Sequence, residues 1–277
     1  MAADPRPEIS LAPTEGWHCS HFFYRFDRAR LRTLGPNEVM DGRRGLIDAL
    51  NAKSTDVAAR QTFLVSGQKA DFCILALGPD PLAIDRVHQR IVGGPLGAAI
   101  EPAWSFVSLT ELSEYVPTVE EHARALAGEG TAPDSDEQRA KLKQYEKRLE
   151  IIRRQRLYPD LPAWPAFCFY PMNKRRDGDQ NWFRLPYPDR ARLMREHGAT
   201  GMKYAGKVTQ LVTVGIGLDD WEWGVTLWAR NPELLSRIVY EMRFDEASAK
   251  YAEFGPFYVG YQAAAEEILD HCRIGGG

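Results

Sequence analysis

VTQLVTVGIGLDDWEWGVTLWARNPELLSRIVYEM, residues 208–242, carries the pattern that decides the fold. Val208 to Ile216 is rich in β-branched residues and reads as a strand. Gly217-Leu218-Asp219-Asp220 signals a turn, and Trp221 to Trp228 returns as a second strand. Asn231-Pro232 then opens a helix to Met242, because asparagine caps a helix and proline suits its first turn. A similar unit stands earlier in the chain. Thr62 to Ser66 and Asp71 to Leu77 flank Gly67-Gln68-Lys69-Ala70, and a helix runs from Leu82 to Ile91. Sliding the two regions by 151 residues lays Phe72 on Trp223, Ile74 on Val225, Pro81 on Pro232, Arg86 on Arg237 and Val87 on Ile238.

Working outward, Trp17 to Phe26 reads as an aromatic strand, and Leu31 to Leu50 mixes helical and turn signals. Ala103 to Leu109 is a further strand and Glu111 to Leu126 a helix. In the second half Ala166 to Met172 is a strand, Arg190 to His197 the end of a helix, and Phe257 to Tyr261 a closing strand. Strand, helix, hairpin and helix, occurring twice, predict an α+β architecture of two antiparallel sheets with helices packed on one face. Between the halves, Leu142, Tyr145, Leu149 and Ile152 fall at helical spacing on a charged segment. The predicted organisation is an N-terminal unit (1–131), a connector helix (132–158) and a C-terminal unit (159–277).

The chain of 277 residues is long enough for a sizeable core. Lys and Arg number 35 against 38 Asp and Glu, a net charge of −3, so there is no global electrostatic case for nucleic acid or an anionic membrane. Cys19, Cys73, Cys168 and Cys272 form no CxxC pair, which argues against a zinc ribbon, a thioredoxin-type redox pair and covalent haem attachment. MAADPRPEIS is too polar and proline-broken for a signal peptide, and no apolar run reaches the roughly 18 residues of a membrane span. The expected compartment is the cytoplasm, with reduced thiols.

Gly93-Gly94-Pro95-Leu96-Gly97 lacks the spacing of either phosphate-binding fingerprint, and GxSxG and HExxH are absent. His18 and His21 would point to opposite faces of a strand and so would not converge on a metal. His197, followed by Gly198, reads as a cation capping a helix C-terminus or as the single axial ligand of a porphyrin iron. Tyr170, Met172 and Lys174 alternate onto one strand face, interrupted or placed at an edge by Pro171. If that face lines a pocket, an ammonium near Tyr170 favours deprotonation of the phenol and can also bind a carboxylate. Cys168 shares the face as a packed thiol.

YPMNKRR (170–176), NWF (181–183), MREHGATGMKYAGKVTQ (194–210), GLDDWEWGVTL (217–227) and YEMRFDEASAKYAEFGPFYVG (240–260), with RLYPDLP (156–162), together resemble the chlorite dismutase superfamily and, within it, the coproheme decarboxylase branch. The resemblance runs nearly unbroken from Arg156 to Gly260. It implies two ferredoxin-like halves per subunit, as in a dimeric α+β barrel, a haem site in the C-terminal half, and a cytoplasmic homopentamer. By position it makes His197 the proximal iron ligand, Tyr170 the redox-active tyrosine, and Lys174 its partner in proton transfer and propionate binding. Arg156, Arg243 and Ser248 match propionate-binding positions, Trp182 and Trp223 pocket walls, and Met172 the methionine after Tyr-Pro. Gln210 stands where chlorite dismutases proper carry a distal arginine, and an uncharged amide stabilises an oxyanion less than a guanidinium. No histidine in 156–174 offers the distal base of the actinobacterial relatives.

What the resemblance implies is haem biosynthesis. Two propionates of coproheme III would be converted to vinyls by hydrogen peroxide through a Tyr170 radical, giving haem b and CO2, with transient contact to a coproporphyrin ferrochelatase. Two other readings stay open: a non-catalytic porphyrin carrier or sensor, and a chlorite dismutase or weak peroxidase.

Overall fold

Asn231 and Asp80 show how the sequence starts its helices. Each side chain accepts a backbone N–H two residues on, at 3.0 and 2.9 Å, and each is followed by proline at the first helical position. The structure, a computed structural model, describes residues 9–275. Residues 1–8, which hold most of the proline-broken start, and residues 276–277 lie outside the described residues.

The chain begins with β1 (His18–Phe26), α1 (Arg28–Leu31), α2 (Pro36–Asn51), the hairpin β2 (Ala59–Val65) and β3 (Phe72–Gly78), α3 (Pro81–Val92) and β4 (Ile100–Thr110). After α4 (Val119–Gly128) and α5 (Asp136–Leu157) the order returns as β5 (Ala166–Lys174), α6 (Tyr187–Met202), β6 (Val208–Val214), β7 (Trp223–Ala229) and α7 (Pro232–Met242). Then come α8 (Glu246–Ala249), β8 (Ala252–Phe254), β9 (Tyr258–Gln262) and α9 (Ala265–His271). The starts of α2 and α6, of β3 and β7, and of α3 and α7 are each 151 residues apart, the offset read from the sequence.

All strand pairs are antiparallel, ordered β4-β1-β3-β2 in the first half and β9-β5-β7-β6 in the second. The two expected sheets are one. β4 pairs with β6 and β2 with β9, which closes an eight-stranded barrel and leaves β8 beside the end of β5. Closure satisfies backbone groups that two open sheets would leave unpaired along their edges. At one seam the backbones come so close that a Cβ on Gly260 would stand 2.1 Å from the Leu64 carbonyl oxygen.

Strand alternation sorts the side chains. Cys19, Phe23, Phe63, Cys73, Phe106, Phe167, Phe169 and Trp228 fill the barrel. Outward residues pack under helices: Phe22, Tyr24, Phe72 and Ile74 with Leu46 and Ile84 in the first half, and Ala166, Cys168, Tyr170 and Val225 with Leu235 and Ile238 in the second.

Three expectations need correction. α6 runs through His197 and Gly198 to Met202, so His197 caps no helix end; contacts of α6 with α7 and α8 carry the helix past its glycine. Residues 111–118 are not helical, because Thr118 and Glu121 form a reciprocal capping box that starts α4 at Val119. β5 is neither interrupted nor an edge: Pro171 sits opposite Gly224 of β7, and its carbonyl accepts Gly255 N–H at 2.8 Å, in the gap between β8 and β9. The missing N–H of proline would have pointed to that same gap. The turn at Gly217 is as read, with φ +75°.

Candidate functional site

The outward face of β5 presents Cys168, Tyr170, Met172 and Lys174 in that order, as alternation requires. Tyr170 is buried, stacked on Phe257 at 4.5 Å between centroids and edge-on to Phe254 at 5.7 Å. Burial, with Cys168 nearby, pushes its phenol well above the ordinary tyrosine range, and Arg243 offsets only part of this. An ammonium beside the ring would favour the phenolate, but here desolvation dominates and Arg243 is the cation that acts on Tyr170. The phenol keeps its hydrogen.

Lys174 turns instead to the start of α8. Its Nζ donates to the Ala247 carbonyl at 3.3 Å and lies 4.1 Å from the centre of the buried Trp182 ring. Burial lowers its pKa to about 8, against the pull of Asp245 and Glu222, which favour the ammonium. Trp182 is wedged edge-on against Tyr251 at 5.5 Å.

His197 lies one step further, on the face of α6 toward α8. Its Nδ1 is 3.0 Å from the buried Asp245 Oδ2 and 3.4 Å from Ser248 Oγ. Asp245 is the N-cap of α8: its Oδ1 accepts Ser248 N–H at 2.9 Å, while Oδ2 accepts Ser248 Oγ–H at 3.2 Å. Burial alone would raise the Asp245 carboxyl, but the bonds from His197 and Ser248 outweigh it and hold the pKa below the usual range. A carboxylate on Nδ1 fixes that nitrogen as the N–H and leaves Nε2 with its lone pair, the arrangement that orients imidazole toward a metal. Nε2 has no hydrogen-bond partner among the described residues. No group of three or more His, Cys, Asp or Glu there could hold a metal ion, and His21 lies inside the barrel on Thr226 Oγ1 at 2.8 Å.

The remaining expected residues stand on β5, β6 and β7, at the ends of α5 and α7, and on α8. Arg243 caps α7 with its guanidinium 4.7 Å from the Phe254 ring centre. Met172 pairs in register with Trp223 and Phe254. Trp223 donates its indole N–H to Glu111 Oε1 at 3.1 Å, and half-buried Arg156 lies within reach of the Glu111 charge. Gln210 is exposed on β6, between Val208 and Val212 on the outward face. Ser248, expected among propionate-binding residues, has its hydroxyl on Asp245 here. Asp245, Glu222 and Phe257 were not singled out in the sequence. Asp245 was readable as a helix cap (DEAS), but its reach to His197, 48 residues away, was not.

The two halves differ at these positions. Strand register puts Phe22 where the second half has Tyr170, Phe26 in place of Lys174, and Arg60 in place of Gln210. Leu46 holds the place of His197 in helices of equal length. Phe22, Phe26 and Leu46 are buried in the apolar core under α2 and α3. One half is packed with hydrocarbon where the other places a phenol, an amine and an imidazole. Two surface clefts, beside Arg60 and Gln262 and beside Arg28 and Tyr261, share no residue with the cluster.

Residues 38–263 match the chlorite dismutase family. A novel haem-binding protein from Thermus thermophilus is 34% identical, with 93% of this chain and 95% of that one covered and a TM-score of 0.73. A variant of the chlorite dismutase from Candidatus Nitrospira defluvii superposes with a TM-score of 0.71 at 16% identity, covering 95% of this chain and 98% of that one, a likeness of fold. The chain belongs to the chlorite dismutase family.

Proposed function

We propose that the protein binds an iron porphyrin through His197 and catalyses peroxide-dependent oxidative decarboxylation of coproheme III to haem b. One observation carries the reading: His197, backed by Asp245, and the buried phenol of Tyr170 stand at the positions that the first half fills with Leu46 and Phe22, members of one apolar core. The haem-binding description of the Thermus relative supports it. The residues present fit the ligand. His197 offers one oriented nitrogen donor, Val208, Val212 and Met172 an apolar wall, and Arg156, Lys174 and Arg243 cations for its carboxylates.

When bound, the iron porphyrin supplies the oxidising power, and the chain supplies placement and hydrogen transfer. Each round takes one propionate, one peroxide and one proton to one vinyl, one CO2 and two waters; peroxide accepts the two electrons. Tyr170 holds an abstractable hydrogen because burial keeps the phenol protonated. Once oxidised to the neutral radical it removes the propionate β-hydrogen. Phe254 and Phe257 hold the ring in place and keep water from it. The reading divides the chain into residues 1–131, 132–158 and 159–277, with the ligand in the third. It carries a cytoplasmic homopentamer that receives coproheme from a coproporphyrin ferrochelatase.

The test loads the purified protein with iron coproporphyrin III, titrates hydrogen peroxide and follows the porphyrin by mass spectrometry. Two successive losses of CO2 ending at haem b are expected. Tyr170→Phe should bind the porphyrin as well as wild type and slow conversion at least about a hundredfold. Conversion at the wild-type rate in that variant, or coproheme that survives peroxide, would remove the proposal. Chlorite is the second substrate: oxygen evolution would favour the dismutase reading, which the uncharged Gln210 argues against.

A further inference from the structure

Two tryptophans beside β5 stand in opposite electrostatic surroundings. Trp182 is 3% exposed and carries the Lys174 ammonium over its ring, with Nζ 4.1 Å from the ring centre. Trp223, half-buried on β7, donates its indole N–H to the Glu111 carboxylate at 3.1 Å. Glu111 belongs to the first half, one residue past the end of β4. Among the described residues no cation lies over the Trp223 ring, and the Trp182 N–H has no acceptor. The other indole with an acceptor there, Trp228, meets the neutral amide of Gln61 inside the barrel. Register brings both surroundings to one stretch of strand. Trp223 lies opposite Met172, two residues from Tyr170, and Lys174 follows two residues beyond.

An indole that loses one electron becomes a radical cation: positive charge spreads over the ring, and the N–H turns acidic. A cation on the ring face opposes that charge, while a carboxylate on the N–H stabilises it and accepts the proton. We propose that this contrast sorts oxidation within the protein: Lys174 shields Trp182, and Trp223, through Glu111, reduces a Tyr170 radical left without a substrate. In that step one electron passes from the Trp223 indole to the Tyr170 oxygen. The phenolate so formed takes up a proton from solvent, and the indole N–H proton goes to Glu111. An intact phenol and a neutral tryptophan radical remain. Burial, with Glu114 nearby, raises the Glu111 pKa against the bond from Trp223 and the charge of Arg156, which readies the carboxylate for a proton. The inference rests on the reading of Tyr170 given above.

The measurement exposes ligand-free protein to azidyl radicals, which take one electron and become azide, and reads oxidised tryptophan by peptide mass spectrometry. Trp182 should be spared in wild type at neutral pH. Burial alone would spare it too, so the comparison that counts is Lys174→Met, which keeps a side chain of similar length and removes the charge. Trp182 oxidation should then rise about fivefold, the weight of an ordinary cation–π contact. Lys174 faces the Ala247 carbonyl, Asp245 before α8 and Glu222 before β7, with His197 on Asp245 and Arg176 on Glu222 one contact further. Its pKa is about 8, so wild type should lose the protection as pH rises through that value. Lys174→Arg stays charged throughout and should keep it, which decides the matter if the methionine variant does not fold. Glu111→Gln keeps an acceptor for the indole but takes no proton, and should lower Trp223 oxidation at least about tenfold. In coproheme-loaded protein under excess peroxide, oxidation should collect on Trp223 rather than on Trp182. Trp182 oxidation indifferent to residue 174 and to pH, or Trp223 oxidation unchanged in Glu111→Gln, would overturn the proposal. Wild type in which coproheme survives peroxide would instead sink the reading of Tyr170, and the azidyl contrast would still stand on its own.

Discussion

His197 is tied through Nδ1, and this fixes which nitrogen is left to a ligand. Asp245→Asn removes the charge behind the imidazole and should weaken iron porphyrin binding about 10–100-fold, measured by titration of the Soret band. Lys174 carries a different cost. Its pKa is lowered from 10.5 to about 8, so between those values the unfolded chain holds a proton that the folded chain has lost. Stability therefore rises with pH across that window, and below pH 8 the buried ammonium is a burden of the order of 3 kcal/mol. Lys174→Met should gain about 1–3 kcal/mol in urea unfolding at pH 7, less at pH 10, and lose affinity for the tetracarboxylate porphyrin.

Among the elements, β5 and α6 hold most of the site, and each was legible only in part. The period-2 pattern placed Tyr170, Met172 and Lys174 on one face, and the structure keeps them there. Which charges would face Tyr170 was not legible, because that depends on how α8 and the break between β8 and β9 meet the strand. Phe257 stacks on Tyr170 from just before β9, at the break that Pro171 matches with its missing N–H. The end of α6 was misread at Gly198, since glycine ends a helix only when packing does not carry it further. The seam between β2 and β9 gives a prediction of its own. Gly260→Ala would drive a Cβ into the Leu64 carbonyl and should cost about 2–4 kcal/mol, read as a lower urea midpoint.

Closing the barrel creates an interior that belongs to both halves, and His21 is its most telling occupant. It is fully buried against Phe169 at 4.1 Å, bonded through Nε2 to Thr226, with Nδ1 left without a partner. Burial drops its pKa to about 3 from an ordinary 6.5. The unfolded chain takes up the proton first, so stability falls as pH drops below 6.5, by about 1.4 kcal/mol per unit. Equilibrium unfolding from pH 6.5 to 5 should show that slope in wild type and a shallower one in His21→Leu.

The repeat and the α+β class were written in local patterns: strand alternation, capping pairs, and an offset that the helix starts reproduce. Such features depend on neighbours a few residues apart, which a sequence displays directly. Closure of the two sheets into one barrel, the carboxylate behind His197 and the carboxylate on the Trp223 indole depend on residues 48 or more positions apart. Their partners are chosen by packing, and packing exists only once the chain has folded.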